Sequence, residues 1–197
     1  MPDINLAYQW AIDTCNDPNV GYAGGSAPDA VPFSWRDMSW HNGKRYCDCS
    51  SFIYYALKAG GWDVESIVGF WPFTTYTMPT YLPLLGFSLL NPYEETWQAG
   101  DILLYGGDIS QGTGHTEMSY NGHYLMGAHN SYLAFADQVS ISNYQSSAGD
   151  PYTTLWRYTD TPPTPGAHPV PLYIIKKRLQ RKRGVTYIDI QKGGKLP

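Results

Sequence analysis

The stretch RYCDCSSFIYYALKAGGW, residues 45–62, sets two cysteines on either side of one aspartate, directly ahead of an apolar run with helical spacing. Cys47 and Cys49 stand at i and i+2, which does not readily close a disulfide, because the bridge needs convergent side chains. Asp48 falls where loop becomes helix and is the expected N-cap of a helix of about 11 residues that stops at the Gly60-Gly61 pair. A cysteine in the first turn faces unpaired N–H groups and the positive end of the helix dipole, which lowers a thiol pKa and favours the nucleophilic thiolate. Cys49 has that placement. Cys47, in the extended segment before it, points the other way. The competing reading of Cys49 is a buried, inert thiol.

A nucleophilic thiolate needs a base that takes its proton and returns one to the leaving group. Five histidines are available: His41, His115, His123, His129 and His168. His168 lies in a Pro-rich segment and His41 in a polar loop, so both read as solvated. His123 follows Asn121-Gly122, a strong hairpin signal, and reads as an exposed turn residue. His115 opens one expected strand and His129 closes the next. A two-residue turn at Asn121-Gly122 would set His115 opposite Ala128 and turn His129 to the other face. One extra residue, expected as a bulge at Gly127, brings the two imidazoles side by side. A base with a neighbour that fixes its tautomer is the logic of a catalytic triad. The alternative is two surface residues at strand ends.

Working outward, DINLAYQWAIDTCN (residues 3–16) predicts a helix with Asp3 as N-cap and Leu6, Ala7, Trp10 and Ala11 on one face. Residues 17–35 read as a Gly- and Pro-rich loop. TTYTMPTYLPLLG suggests a short helix broken by prolines, and FSLL a strand. After Trp97, AGDILLYGG, HTEMSY, HYLMGAH, VSISNY and TTLWRY read as short strands between turns. A helical front half followed by a run of strands is an α+β pattern, with helices on one face of a mostly antiparallel sheet. The organisation expected is one domain over 1–160, a Pro-rich linker over 161–171 and a basic tail over 172–197.

Taken together and in order, these pieces resemble the NlpC-type cysteine peptidases and amidases, which are papain-like enzymes that cut the peptide part of bacterial peptidoglycan. YCDCSSFIYYAL, AGDILLYGG and TGHTEMSY parallel the pattern YDCSSSMYYAL, RGDIFIWG and GGHTGMF of the phage amidase branch, the pneumococcal-phage-type endolysins. Ser51, where housekeeping bacterial members have glycine, favours that branch. The likeness spans roughly residues 4–158. It implies Cys49 as nucleophile, His115 as general base and acid, and His129 as the residue orienting His115, with Asn130 as the alternative third member. It also implies that Tyr22 lies near the oxyanion site and that Asp48 helps hold a substrate amine, an N-cap role being the other reading of Asp48. Cys47 has no counterpart. The chemistry requires no metal or cofactor, and a zinc site of Cys47, Cys49 and a histidine is disfavoured because i and i+2 diverge.

Charge is uneven along the chain. Residues 1–160 carry five basic against 16 acidic side chains, and residues 161–197 carry eight basic against one acidic. So acidic a body is a poor nucleic-acid binder. The tail either lies on anionic wall polymers or is a solvated terminus. The 17 tyrosines either line a groove for sugars and peptides or edge the core. MPDINLAYQW lacks a basic n-region and an apolar h-region, so no signal peptide is expected. No run approaches the roughly 18 apolar residues of a membrane span. Three cysteines without a disulfide framework suit a reducing cytosol. The resemblance then implies synthesis in a host cytoplasm and action on the wall after holin release or as a virion component. Within that expectation, an N-acetylmuramoyl-L-alanine amidase and an endopeptidase share one triad and stay open together. A non-catalytic wall-binding or phage structural module is the alternative of a different class.

Overall fold

The computed structural model describes residues 1–108, 113–142 and 154–159. The expected linker, tail and His168 lie outside these residues. Among the described residues no helix is long and apolar enough to cross a membrane.

Helix α1 (Ile4–Cys15) starts where the Asp3 carboxylate accepts the Asn5 N–H at 2.8 Å. Its inward face is Ala7, Ala11 and Thr14. Leu6, expected on that face, is instead 57% exposed, because the stripe follows the i, i+4, i+7 positions of the alanines. Helix α2 (Cys49–Ala59) is the central helix, with Phe52, Ile53, Tyr54, Ala56 and Leu57 fully buried. The start of α1 meets the end of α2 at Gly60, and the two helices lie side by side, with Trp10 against Phe52 at 5.6 Å between ring centroids. The Gly60 carbonyl accepts the Asp3 N–H at 2.8 Å, and a Cβ there would lie 2.9 Å from the Ala7 Cβ. Glycine at 60 is therefore demanded by close approach rather than by backbone conformation.

Two strands precede α2. β1 (Val20–Tyr22) and β2 (Arg45–Cys47) pair in parallel, Tyr22 opposite Cys47. β1 falls in a stretch read as loop, since three residues among glycines and prolines carry no period. The short helices α3 (Val64–Val68) and α4 (Met78–Tyr81) and a 3-10 turn at Pro83–Leu85 follow, the prolines dividing the latter two as expected.

Among the described residues the main sheet has six strands: β3 (Phe87–Leu90), β4 (Ile102–Asp108), β5 (Thr113–Ser119), β6 (Leu125–Ala128), β7 (Val139–Ser142) and β8 (Thr154–Tyr158). Their order is β3-β8-β4-β5-β6-β7, and every pairing is antiparallel. The four-residue helix α5 (Phe135–Gln138) precedes β7. Strand alternation divides the sheet cleanly. Ile102, Leu104, Met118, Met126, Ala128 and Trp156 join one core with α1 and α2. Leu103, Tyr105, Leu125 and Leu155 form a second cluster on the opposite face. The chain is thus α+β, with its two long helices against one face of an antiparallel sheet. Arg157 ties β8 to the start of β4 by two bonds to Asp101, at 2.9 and 2.7 Å.

Candidate active site

Cys49 is the first residue of α2, and the turn beneath it is capped twice. Asp48 Oδ1 accepts the Ser51 N–H at 2.7 Å, and Ser51 Oγ accepts the Asp48 N–H at 2.9 Å. This reciprocal arrangement satisfies two otherwise orphaned donors. Asp48 is thus the N-cap expected of it.

Asp48 has a partner the sequence reading did not foresee. Arg36, 0% exposed, places Nη2 3.0 Å from Asp48 Oδ1, 2.8 Å from Ser50 Oγ and 2.7 Å from the Phe73 carbonyl. A buried guanidinium so engaged is a bolt between the 33–36 turn, the loop before α4 and the head of α2. Nothing in the local pattern around Arg36 marks it, because a lone arginine after an aromatic turn reads as surface.

The sulfur of Cys49 sits where the β5–β6 ladder stops. Only Met118↔Met126 and Ser119↔Leu125 are paired. Alternation then turns the polar backbone groups of Thr116 and Gly114 toward the β6 side. They meet the thiol instead: the Thr116 N–H is directed at Sγ, and Sγ lies 4.0 Å from the Gly114 carbonyl oxygen. Cys49 therefore rests on the backbone to either side of His115. Gly114 is also pressed by Thr75, whose Oγ1 would lie 2.1 Å from an added Cβ.

The thiol is not poised as expected. Burial, and next the nearby Asp48 carboxylate, push Cys49 up to about 12, against the pull of the Thr116 and Ser50 N–H groups and Arg36. The helix start does lower it, but desolvation is the larger effect. Cys47 is fully buried and its thiol is likewise raised, by burial first. Cys15, Cys47 and Cys49 are all free thiols.

His115 and His129 do come side by side, with ring centroids 6.4 Å apart, although by a different route. The extra residue is in the turn, not at Gly127. Tyr120 N–H bonds the Tyr124 carbonyl at 2.8 Å around a three-residue loop that includes His123, and the β6–β7 ladder runs through Gly127 without a shift. Gly127 has another purpose. It leaves room for Glu117, whose Cγ would lie 3.1 Å from a Cβ at 127.

Glu117 is the residue that the sequence reading missed. It is 0% exposed and stands between the two imidazoles: His115 Nε2 is 3.6 Å and His129 Nδ1 3.2 Å from Glu117 Oε1. Burial alone would raise its carboxyl. The contacts with His115 and His129 outweigh this and hold it below the ordinary glutamate range. The signal was present, since a glutamate two residues after His115 on the same strand face is a carboxylate beside an imidazole, and the phage-branch motif has glycine there. On its far side, His129 Nε2 lies 3.1 Å from Ser140 Oγ and 3.3 Å from Ser142 Oγ.

The remaining candidates separate. Tyr22 lies beside the nucleophile candidate: its phenol is raised, by burial first and then by Cys49 and Asp48. Asn130 turns its side-chain oxygen to the Tyr132 N–H at 2.9 Å, forming its own turn. His41, read as solvated, is half-buried, stacked on Trp35 at 4.5 Å and 3.0 Å from Asp37. His123 is exposed, as expected for its turn.

A family model described as bacteriophage peptidoglycan hydrolase matches residues 31–164. The chain belongs to the bacteriophage peptidoglycan hydrolases. A lysin of Pneumococcus phage Dp-1 is 30% identical over 130 residues, covering 62% of this chain and 41% of the lysin. This hydrolase chain thus spans well under half the length of that relative. The family match encloses Arg36, Cys49, His115, Glu117 and His129, and begins after α1 and β1.

Proposed function

We propose that the chain is a papain-like cysteine hydrolase that cuts an amide bond in the peptide stem of bacterial peptidoglycan, foremost the N-acetylmuramoyl-L-alanine bond. One observation carries this reading: in a member of the peptidoglycan hydrolase family, a cysteine heads a buried helix and sets its sulfur against the strand bearing His115. In this reading Cys49 is the nucleophile. Because its resting form is the neutral thiol, its proton passes to His115 as sulfur attacks the carbonyl carbon. The carbonyl oxygen takes the negative charge and is met by the N–H at the head of α2, with Tyr22 nearby. The intermediate collapses as His115 returns the proton to the leaving nitrogen. A thioester remains, and water hydrolyses it, with His115 taking the water proton and restoring the thiol. Glu117 and His129 act through His115 as positioning residues, and Asp48 keeps its helix-capping task.

The place of action is the cell wall, reached from the host cytoplasm through a holin-opened membrane or from a virion. The basic residues of 172–197 add long-range attraction to anionic wall polymers. Purified walls digested with the protein and with Cys49→Ala, analysed by mass, test the reading. Glycan strands stripped of whole stem peptides are expected from the wild type only. Shortened stems would move the cut to an endopeptidase bond, and equal digestion by Cys49→Ala would end the cysteine mechanism.

A further inference from the structure

Three ligand-type side chains converge on one buried point. One ligand atom from each of His115, Glu117 and His129 lies within 4.8 Å of the other two, and His115 Nε2 and His129 Nδ1 stand 3.6 and 3.2 Å from Glu117 Oε1. A tetrahedral zinc ion at its usual ligand lengths of about 2.0–2.1 Å sets its ligands roughly 3.3 Å apart. The two separations from Glu117 already match that spacing, and the pair of imidazole nitrogens, within 4.8 Å, would close by up to roughly 1.5 Å to meet it.

The surroundings suit a cation at this point. Glu117 is a buried carboxylate set between two imidazole nitrogens, at 3.6 and 3.2 Å, and a metal ion or a shared proton is what can stand between such groups. On the far side of its ring, His129 Nε2 lies 3.1 Å from Ser140 Oγ and 3.3 Å from Ser142 Oγ. A hydroxyl accepting the ring N–H there is the outer hydrogen bond that orients a metal-binding histidine and leaves Nδ1 as its ligand atom.

We propose that His115, Glu117 and His129 form a three-ligand site for a divalent transition-metal ion of the zinc class, and that its occupancy switches the hydrolase off. Two imidazoles and one carboxylate suit a borderline ion, and three protein ligands leave a fourth position for water. Inhibition follows because the ion holds His115 by the nitrogen that faces Glu117 and draws away both positioning groups. The inhibitory half rests on the function proposed above. The binding half does not.

The test uses the full chain carrying Cys49→Ala, so that neither turnover nor this thiol contributes. Calorimetry with zinc chloride is expected to show one site, and cobalt(II) a visible spectrum without a thiolate charge-transfer band. Adding the isosteric Glu117→Gln should weaken binding at least tenfold, with circular dichroism confirming the fold, and His129→Gln should act likewise. In the wild type, zinc should slow wall clearing reversibly, with full recovery on EDTA. Binding unchanged by Glu117→Gln, or no binding at millimolar zinc, would leave a shared proton only and overturn the site. Loss of clearing on EDTA alone would overturn its inhibitory sense.

Discussion

Replacing Arg36 by methionine isolates what the buried guanidinium does for the head of α2. Methionine fills much of the volume, so the main loss is electrostatic. Asp48, with its side chain 7% exposed, loses the Nη2 contact at 3.0 Å, and Ser50 Oγ and the Phe73 carbonyl lose their donor. Asp48 keeps only the Ser51 N–H and the Ser50 hydroxyl. Removing one member of a buried ion pair costs about 3–5 kcal/mol, because the other charge stays desolvated. With a urea dependence of about 2–3 kcal/mol per molar, the unfolding midpoint should fall by roughly 1–2.5 M. Asp48→Asn in the same chain removes the stranded charge while keeping a good N-cap. The double variant should recover at least half of the loss, a strong non-additivity in the double-mutant cycle. A cost below about 1 kcal/mol for Arg36→Met, or strict additivity in the cycle, would refute the view that the pair is one unit.

Alkylation of Cys49 by iodoacetamide should be slow near neutrality and rise steadily into alkaline pH, as a thiol pushed up to about 12 by burial requires; a fast plateau at mildly acidic pH would mean that a preformed thiolate is present. Glu117 contributes stability that is complete above its unfolded value near 4.5 and is lost as pH falls through its depressed folded value. The urea-midpoint gap between wild type and Glu117→Gln should therefore close toward acid, and a gap constant with pH would count against the buried carboxylate. Gly127→Ala should reduce wall clearing well beyond its effect on stability, because the new Cβ meets Glu117 Cγ at 3.1 Å; equal proportional losses would contradict a positioning role. Gly25→Ala should destabilise by about 1–3 kcal/mol, since its φ is +85° and the Cβ would lie 2.1 Å from Ser131 Oγ. Thermal melting reads that change directly.

The helices and strands were legible because each carries a local signal. Asp3 and Asp48 cap, Gly60-Gly61 stops α2, and the strands after Trp97 alternate between turn residues. Less legible was everything decided by register and burial. Whether the extra residue enters at the Asn121–His123 turn or at Gly127 cannot be read from composition, since glycine serves either device. Both give the same pairing of His115 with His129, so the right neighbourhood was reached through the wrong irregularity. Leu6 shows the same limit in a helix: an apolar residue adjacent to the buried stripe is as compatible with solvent as with core. Arg36 and Glu117 escaped notice because charged residues are expected outside, and only tertiary contacts reveal a charge held within.

The unpaired end of β5 explains why these buried charges sit together. A continuous β5–β6 ladder would engage the Thr116 and Gly114 backbone groups and leave no seat for a sulfur. Ending the ladder after Met118↔Met126 frees those groups for Cys49, but it also brings a helix head, with its Asp48 charge, into a desolvated corner. Arg36 answers that charge from one side. On the other sheet face the divergence beyond Gly127 admits Glu117, whose charge is answered by the two histidines. Each polar group thus offsets a cost created by the same gap, and burial in that gap favours the neutral form of the Cys49 thiol. It follows that the alignment of His115 with His129 depends on Tyr120 standing opposite Tyr124, not on the length of the turn between them. Deleting His123 shortens that turn to two residues, leaves the pair and the register of β6 in place, and should preserve wall clearing. Loss of clearing by a folded deletion variant would show that the three-residue turn itself shapes the site.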